Sequence, residues 1–398
     1  MTDVLLVRLG ATAGLRASED ELAASLRRAG ASVAQVTAVA PREVRTLVAT
    51  DFSWALAARR AAVAGIASSS PRAVVYSTTT AALLWPRPGA IRFDALAAET
   101  RPGRHGLWQR PVEARRLRAA TVLVPWTPHA LPGPSVVVPM PVAPSGPPAA
   151  ARDIAAITYG ANWRKKGLDQ VLAAWAAMPS HGDRPPADKG ATGAECGPVA
   201  ELSTHVDRPP ADERATRAEG GALVVAGIDT TLVTEAWAAG GGRGALPASV
   251  RVTGPLAPSE YRALLRRARV FVTAPRREDY GIAQLEALAD GCTLVTTAAP
   301  GPYAALPLAR ALDPRFVVED GADTRALAEA LRTALDATVS ASGAGPGPAL
   351  LDVLETVAGP EGGAGATYAA RAASALAPFS RARVDAVVAE ELLPRLLA

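Results

Sequence analysis

The feature that most constrains this chain is a regular alternation of short apolar runs with longer amphipathic segments, which starts at its first residues. Apolar runs of four to six residues are typical of buried parallel strands, and the amphipathic segments between them are typical of helices that cover the sheet. The alternation occurs twice, on either side of the proline-dense stretch Pro139–Ala149, which cannot hold regular structure. The sequence therefore predicts an α/β protein with two doubly wound parallel sheets joined by a linker.

The first half, residues 1–140, is predicted to contain six strands and three helices. The first helix, Glu19–Arg28, is expected to begin at Ser18 as its N-cap and to end at Gly30. The other helices are expected near 52–66 and 111–119, and the strands are expected at Val4–Arg8, Ser32–Thr37, Ala73–Tyr76, Ala90–Phe93, Thr121–Val124 and Ser135–Val138.

The second half, residues 153–380, follows a linker at 141–152 and repeats the pattern. Its predicted elements are strands at Ile154–Tyr159, Ala222–Ala226, Val250–Thr253, Val270–Thr273 and Thr293–Thr296, with helices at Leu168–Met178, Pro258–Arg267 and about 281–289. Residues 180–221 interrupt the alternation of strands and helices. Eight residues that start at His181 recur nearly unchanged from His205, and prolines, glycines and charged residues dominate the segment. We interpret this segment as a disordered insertion rather than a metal site, since a disordered loop rarely provides four fixed ligands.

Composition excludes several classes of protein. Forty-two Lys+Arg against 38 Asp+Glu leave a net charge of +4 spread over 398 residues, which does not argue for nucleic-acid binding. Two cysteines cannot make a disulfide framework, and neither lies in a metal-ligand spacing such as C-x-x-C. The small number of histidines, four, argues against a zinc enzyme. The N-terminus lacks a signal-peptide pattern, and no run approaches the roughly 18 apolar residues of a membrane span. We therefore expect a cytoplasmic protein without a transmembrane segment.

The most informative segment follows the predicted strand Val270–Thr273. A charged turn carries Glu278, Gly281 opens a helix that contains Glu286, and Gly291 closes that helix before the next strand. Ligands of open parallel sheets bind beyond the carboxyl ends of the strands, where this turn lies. The segment is therefore the first candidate for a binding site.

The residue types in this segment suit a ligand that is both phosphorylated and rich in hydroxyl groups. The backbone N–H groups of Gly281, Ile282 and Ala283 would be free at the helix N-terminus, which is a ready site for a phosphate. The carboxylates of Glu278 and Glu286 suit hydroxyl groups, which donate hydrogen bonds to them. A nucleotide sugar has both features; the simpler alternative is that the two glutamates are solvated acids near a helix start.

The frame E-x-Y-G-x-x-x-x-E-A-x-A-x-G, with Glu278 and Glu286 at its two acidic positions, resembles the signature of retaining GT-B glycosyltransferases, family four in particular. The resemblance implies two Rossmann-like domains that face each other across a cleft, with the last helix, about 384–397, packed on the first domain. It also implies that Glu278 holds hydroxyl groups of the donor sugar and that Glu286 holds the ribose of the nucleotide.

Other segments follow the order of the same family. Lys166, in the segment GANWRKKG, is similar to the family's lysine that grips the donor diphosphate. Ala161 stands where the family has an arginine, and Arg164 is the candidate substitute. Thr253 and Gly254 resemble the strand end that touches the base.

The first half offers candidates for the acceptor side. Phe93 stands where the family often has a histidine, and Asp94 follows it as in the family. Arg101 and His105 lie in the next loop, and Gly10 could let the loop after the first strand approach the diphosphate. The candidate catalytic set is Glu278, Lys166, Arg164 and Asp94.

The resemblance implies transfer of a sugar from a nucleoside diphosphate to an acceptor hydroxyl, with retention of configuration and without a metal ion or other cofactor. The acceptor stays open between a saccharide, a lipid-linked molecule and a small molecule, and peripheral membrane contact stays open as well. Two alternatives remain. One is a sugar-nucleotide epimerase or phosphorylase on the same fold, and the other is a degenerate subunit that binds a nucleotide sugar without turnover.

Overall fold

The computed structural model describes residues 2–41, 46–178, 221–342 and 367–398. The predicted insertion, apart from Gly221, lies outside these residues. The described chain forms two β-sheets, one of five strands and one of six, and every strand pair in both is parallel. The prediction of an α/β protein with two parallel sheets is confirmed.

The first sheet has the strand order β2-β1-β3-β4-β5. Its elements are β1 Val4–Arg8, α1 Ala13–Arg28, β2 Val33–Thr37, α2 Leu47–Ser69, β3 Ala73–Tyr76, α3 Thr79–Ala82, β4 Ala90–Phe93, α4 Ala97–Thr100, a 3₁₀ turn at Gly103–Gly106, α5 Gln109–Ala119 and β5 Leu123–Pro125. Because β1 lies between β2 and β3, the chain leaves β1 and β3 towards opposite sides, and a crevice opens between their carboxyl ends.

The second sheet has the order β11-β10-β9-β6-β7-β8. Its elements are β6 Ile154–Tyr159, α6 Trp163–Lys166, α7 Leu168–Ala177, β7 Leu223–Ala226, α8 Thr230–Ala239, β8 Val250–Gly254, α9 Pro258–Arg267, β9 Ala268–Thr273, α10 Ile282–Ala289, β10 Thr293–Thr297, α11 Ala305–Leu312, β11 Val317–Val318, α12 Thr324–Ser342 and α13 Tyr368–Ala375. None of the helices in the described part of the chain is both long enough and apolar enough to span a bilayer.

Helices cover both faces of the first sheet, as alternation along β1 shows. Leu5 belongs to the core on one face, and Val4 belongs to the core on the other face. The core that contains Val4 also includes the end of the chain. There α14 Arg381–Val387, a π turn at Val388–Leu392 and α15 Leu393–Leu397 follow one another without a break. Apolar residues at every fourth position of this segment are buried there: Val384, Val388, Leu392 and Leu396. The C-terminus therefore packs against the first sheet.

Two local predictions about the first half are wrong. The first helix begins earlier than predicted, because Thr12 rather than Ser18 accepts the capping hydrogen bond, from the N–H of Leu15. Ser18 lies inside α1, where its hydroxyl donates to the carbonyl of Leu15. The segment Ser135–Val138 forms only an isolated bridge to β5. The N–H groups of Val136 and Val138 donate to the carbonyls of Leu123 and Pro125, but Pro125 has no N–H with which β5 could return the next ladder bond.

Candidate functional site

The strand order of the second sheet places two loops side by side. Because β6 lies between β7 and β9, a crevice opens between the carboxyl ends of β6 and β9. The loop after β6, which includes the short helix α6, contains Lys166, and the loop after β9 contains Glu278. The N–H of Arg276 donates to the carbonyl of Lys165 over 2.9 Å, and the Arg276 guanidinium binds the Asp169 carboxylate over 2.6 Å. These bonds join the two loops.

Lys166 and Glu278 are in direct contact in this crevice. The Lys166 ammonium donates to Oε2 of Glu278 over 2.6 Å, and the side-chain amide of Gln284 donates to the same oxygen over 3.1 Å. Glu278 is only 4% exposed, so its charge depends on these two partners. Sequence reasoning missed Gln284, although its position three residues after Gly281, on the first turn of α10, points at the same crevice.

The N-terminus of α10 adjoins this pair. Gly281 has φ +91°, and a Cβ at this position would lie 2.8 Å from the Tyr303 ring, so the backbone here requires glycine. In the described part of the chain, no side chain caps the start of α10. The first-turn N–H groups of Ile282 and Ala283 therefore remain available to an anion.

Glu286 lies in the second turn of α10, facing an arginine. Its Oε1 accepts a hydrogen bond from Nη1 of Arg262 over 3.2 Å, and Nε of Arg262 donates to the Asp290 carboxylate over 2.6 Å. Burial raises the pKa of Glu286, Arg262 opposes that rise and Asp290 adds to it. The rings of Tyr159 and Tyr261 lie beside this group, 5.1 Å apart, and burial followed by the charge of Glu286 raises the pKa of both phenols.

The strand-end candidates lie at the carboxyl end of β8. The Thr253 hydroxyl donates to the carbonyl of Gly254 over 3.1 Å, and Gly254 has φ +73°. The carbonyl of Gly254 also accepts the N–H of Gly227 at the end of β7. The structure thus keeps both candidates at the same edge of the sheet as Lys166.

Arg164 does not join the contact between Lys166 and Glu278. Its exposed guanidinium lies over the ring of Trp163, 4.7 Å from the ring centre. The neighbouring Lys165, which sequence reasoning did not single out, binds Asp279 instead.

The loops of the two sheets face each other. The Trp126 ring, after β5, packs edge-on against Tyr280 at 5.0 Å, and a guanidinium nitrogen of Arg277 lies 3.7 Å from the Glu99 carboxylate. Burial, followed by the charge of Asp279, raises the pKa of Asp94. The acceptor-side candidate Asp94 is thus electrostatically coupled to the loop that carries Glu278.

The loop after β1 is organised by a buried carboxylate that sequence reasoning had assigned only to a helix start. Glu19 is fully buried, and its Oε1 accepts the N–H groups of Leu9 and Gly10 over 2.8 and 3.2 Å and the hydroxyl of Ser77 over 2.6 Å. Gly10 has φ +66°. Across the cleft, a Cβ at Gly14 would lie 4.0 Å from the side chain of Ile282.

The remaining acceptor-side candidates differ in their surroundings. Arg101 donates two hydrogen bonds to the Asp51 carboxylate of α2, over 2.7 and 2.9 Å, and these bonds raise the pKa of Arg101. His105 is exposed on the 3₁₀ turn. Across residues 2–41, 46–178, 221–342 and 367–398, no three His, Cys, Asp or Glu side chains cluster in a way that could hold a metal ion.

Comparisons with known proteins agree with this architecture. Residues 213–337, which include both Glu278 and Glu286, match the family model described as Glycosyl transferases group 1. Sucrose-phosphate synthase from Thermosynechococcus elongatus superposes with a TM-score of 0.52 at 16% identity, over 85% of this chain and 95% of that one. WaaG, a glycosyltransferase involved in lipopolysaccharide biosynthesis, superposes with a TM-score of 0.56 at 15% identity, over 84% and 90%. No curated protein sequence matches significantly. With two Rossmann-like sheets whose loops face each other, the chain has the GT-B fold of glycosyltransferases.

Proposed function

We propose that this protein is a retaining glycosyltransferase that moves a sugar from a nucleoside diphosphate to an acceptor hydroxyl. The observation that carries the proposal is the contact between Lys166 and Glu278 beside the uncapped start of α10. A cation, free N–H groups and a buried carboxylate within one crevice match the diphosphate and the hydroxyl groups of a single donor molecule. Part of the same half also matches the family model for glycosyl transferases.

The proposed mechanism assigns each group a separate task. Lys166 and the N–H groups of Ile282 and Ala283 stabilise the negative charge that develops on the leaving phosphate. Glu278 accepts hydrogen bonds from the transferred sugar, and Glu286 accepts those of the ribose. The departing phosphate removes the proton of the acceptor hydroxyl, so the mechanism needs no separate protein base.

A nucleotide panel tests the proposal at its first step. Thermal unfolding is measured with UDP, GDP, ADP and TDP, because a ligand that binds the folded state raises the melting temperature by mass action. We expect one of them to stabilise the protein, and we expect the matching sugar nucleotides to be hydrolysed slowly without acceptor. The anomeric configuration of the transfer product then tests retention. No stabilisation by any of the four nucleotides would refute the proposal.

Chelation is expected to leave turnover unchanged. The charge of the diphosphate is met by Lys166 and the start of α10 rather than by a divalent cation. Initial rates are compared with and without excess EDTA. Loss of activity that Mg²⁺ restores would contradict the assignment of the phosphate charge to these groups.

The two glutamates are expected to affect different kinetic constants. Contacts to the sugar tighten as the glycosidic bond breaks, so Glu278→Gln should lower kcat about thirtyfold, the effect of ~2 kcal/mol, and leave nucleotide affinity unchanged. Ribose contacts do not change during the reaction, so Glu286→Gln should weaken nucleoside diphosphate binding about tenfold, the effect of ~1.4 kcal/mol. Calorimetry and initial rates for both variants check this separation. Unchanged rates and affinities in both variants would leave the two glutamates with a structural role only.

The second candidate is a subunit that binds a nucleotide sugar without turning it over. It is favoured by Ala161 at the family's arginine position and by the stacking of Arg164 on Trp163, away from the crevice. Donor hydrolysis by the purified protein distinguishes the two candidates, because only the enzyme releases free sugar. Product analysis separates transfer from epimerisation or phosphorolysis.

A further inference from the structure

One arginine joins Glu286 to the segment between the two sheets. Arg262, on α9, donates to Glu286 through Nη1, to Asp290 through Nε and to the carbonyl of Ala143 through Nη2, over 3.2, 2.6 and 2.7 Å. All three guanidinium nitrogens thus bind acceptors, which come from α10, from the residue that ends it and from the linker. Its side chain is 15% exposed, so these bonds are largely shielded from water.

Asp290, which binds Arg262, is itself held by hydrogen bonds from the linker. Its carboxylate is fully buried and accepts the N–H of Ser145 over 2.7 Å and the hydroxyl of Ser145 over 3.1 Å, in addition to the Arg262 bond. The Asp290 carbonyl also accepts a bond from Arg152 over 2.8 Å. Arg262 is therefore held in place by a fixed carboxylate, and its Nη1 is the nitrogen that donates to Glu286.

We propose that Arg262 is a positioning residue that holds the Glu286 carboxylate, ionised and oriented, for the ribose of the donor. The inference rests on the proposed function, since it takes Glu286 as the ribose ligand. Arg262 does not touch the nucleotide in this scheme. It acts only through Glu286, and it fixes that side chain relative to the linker.

Electrostatics gives the arginine a second effect on Glu286. Burial and Asp290 raise the pKa of the Glu286 carboxyl, and Arg262 is the group that lowers it. Among the described residues, the phenols of Tyr159 and Tyr261 also face Glu286. They are neutral around pH 7, and burial raises their pKa values further above the ordinary value. Removing Arg262 therefore raises the pKa of Glu286 further. Below that pKa the carboxyl is protonated and accepts ribose hydrogen bonds less well.

A double-mutant cycle tests whether Arg262 acts through Glu286. Calorimetry measures binding of whichever nucleoside diphosphate, among UDP, GDP, ADP and TDP, stabilises the wild-type protein. We expect Arg262→Gln to weaken affinity about tenfold at pH 7 in the wild-type background and less than twofold in the Glu286→Gln background. The factor by which Arg262→Gln weakens nucleotide affinity should become smaller as pH rises from 6 to 9. In the Glu286→Gln background, the corresponding factor should not change with pH.

Arg266→Gln is the matched control. Arg266 lies one turn later on α9 and binds the Ser145 hydroxyl, and neither acidic partner of Arg262 is among its hydrogen-bond partners. The Arg266→Gln variant should bind the nucleoside diphosphate as tightly as the wild-type protein. If Arg262→Gln does not fold, Arg262→Lys keeps the charge but loses the fixed fork, and should show the same coupling at smaller size. Equal losses in both backgrounds would overturn the inference while leaving the proposed function intact, whereas failure of wild type to bind any of the four nucleotides would overturn both.

Discussion

Replacing Lys166 with methionine is expected to lower kcat about 100- to 1000-fold. A preorganised charge that meets negative charge developing in the transition state commonly contributes this much to the rate. The Lys166 ammonium, 2.6 Å from Glu278 in the crevice, is the cation that we assign to the leaving phosphate. Lys165→Met is the matched control, because Lys165 is adjacent in sequence but binds Asp279. We expect the control to retain turnover within a few-fold.

The same substitution should also destabilise the protein, for a separate reason. Without Lys166, the buried Glu278 carboxylate keeps only the Gln284 amide as a hydrogen-bond partner, which should cost about 2 kcal/mol. Adding Glu278→Gln to Lys166→Met removes the uncompensated charge. The double variant should therefore recover most of the melting temperature but none of the turnover. Recovery of turnover together with stability would show that Lys166 serves only the fold.

Gly167→Ala is expected to be the most destabilising of the glycine substitutions near the site. Gly167 has φ +63°, and a Cβ there would overlap the carbonyl oxygen of Ala274, which belongs to the backbone of the loop after β9. The loop after β6 and the loop after β9 would have to move apart, and with them Lys166 and Glu278. We expect a loss of at least about 3 kcal/mol, or roughly 6 °C or more in melting temperature for a domain of this size.

Gly244→Ala separates the backbone effect from the overlap. Gly244 lies in the same half with φ +71°, but a Cβ there would have no neighbour within 4 Å. Only the left-handed backbone is strained by this change, which costs ~1 kcal/mol. Thermal unfolding of the two variants, with initial rates, makes the comparison. Equal shifts in melting temperature would mean that the close approach of the two loops is not needed for stability.

Much of the fold could be read from local patterns. The prediction for α9, Pro258–Arg267, matches the structure at both ends, and the strands β1, β3, β4 and β6 also have their predicted bounds. These elements depend on apolar periodicity and on caps a few residues away, which a sequence displays directly. Helix α1 was predicted too short because its cap, Thr12, precedes a glycine-containing first turn with a weak helical signal.

In the candidate site, too, the sequence predicted what depends on short-range spacing and missed what depends on contacts between distant residues. Glu278, Gly281 and Glu286 stand in one short frame, so their types and spacing were sufficient to single them out. The contact of Lys166 with Glu278 joins residues 112 positions apart, and it exists because the strand order brings the ends of β6 and β9 together. Strand order depends on how the helices pack on the two faces of the sheet, and a local sequence pattern does not predict that packing.

Thus the sequence by itself determined the α/β class, the division into two halves and the acidic frame around Gly281, because each rests on short-range spacing. Only the tertiary structure decided which charges meet. It paired Lys166 with Glu278, set Arg262 between Glu286 and the linker, and left Arg164 stacked on Trp163. The physical reason is that a buried charge must find a partner in space, and the fold brings that partner from a distant part of the chain.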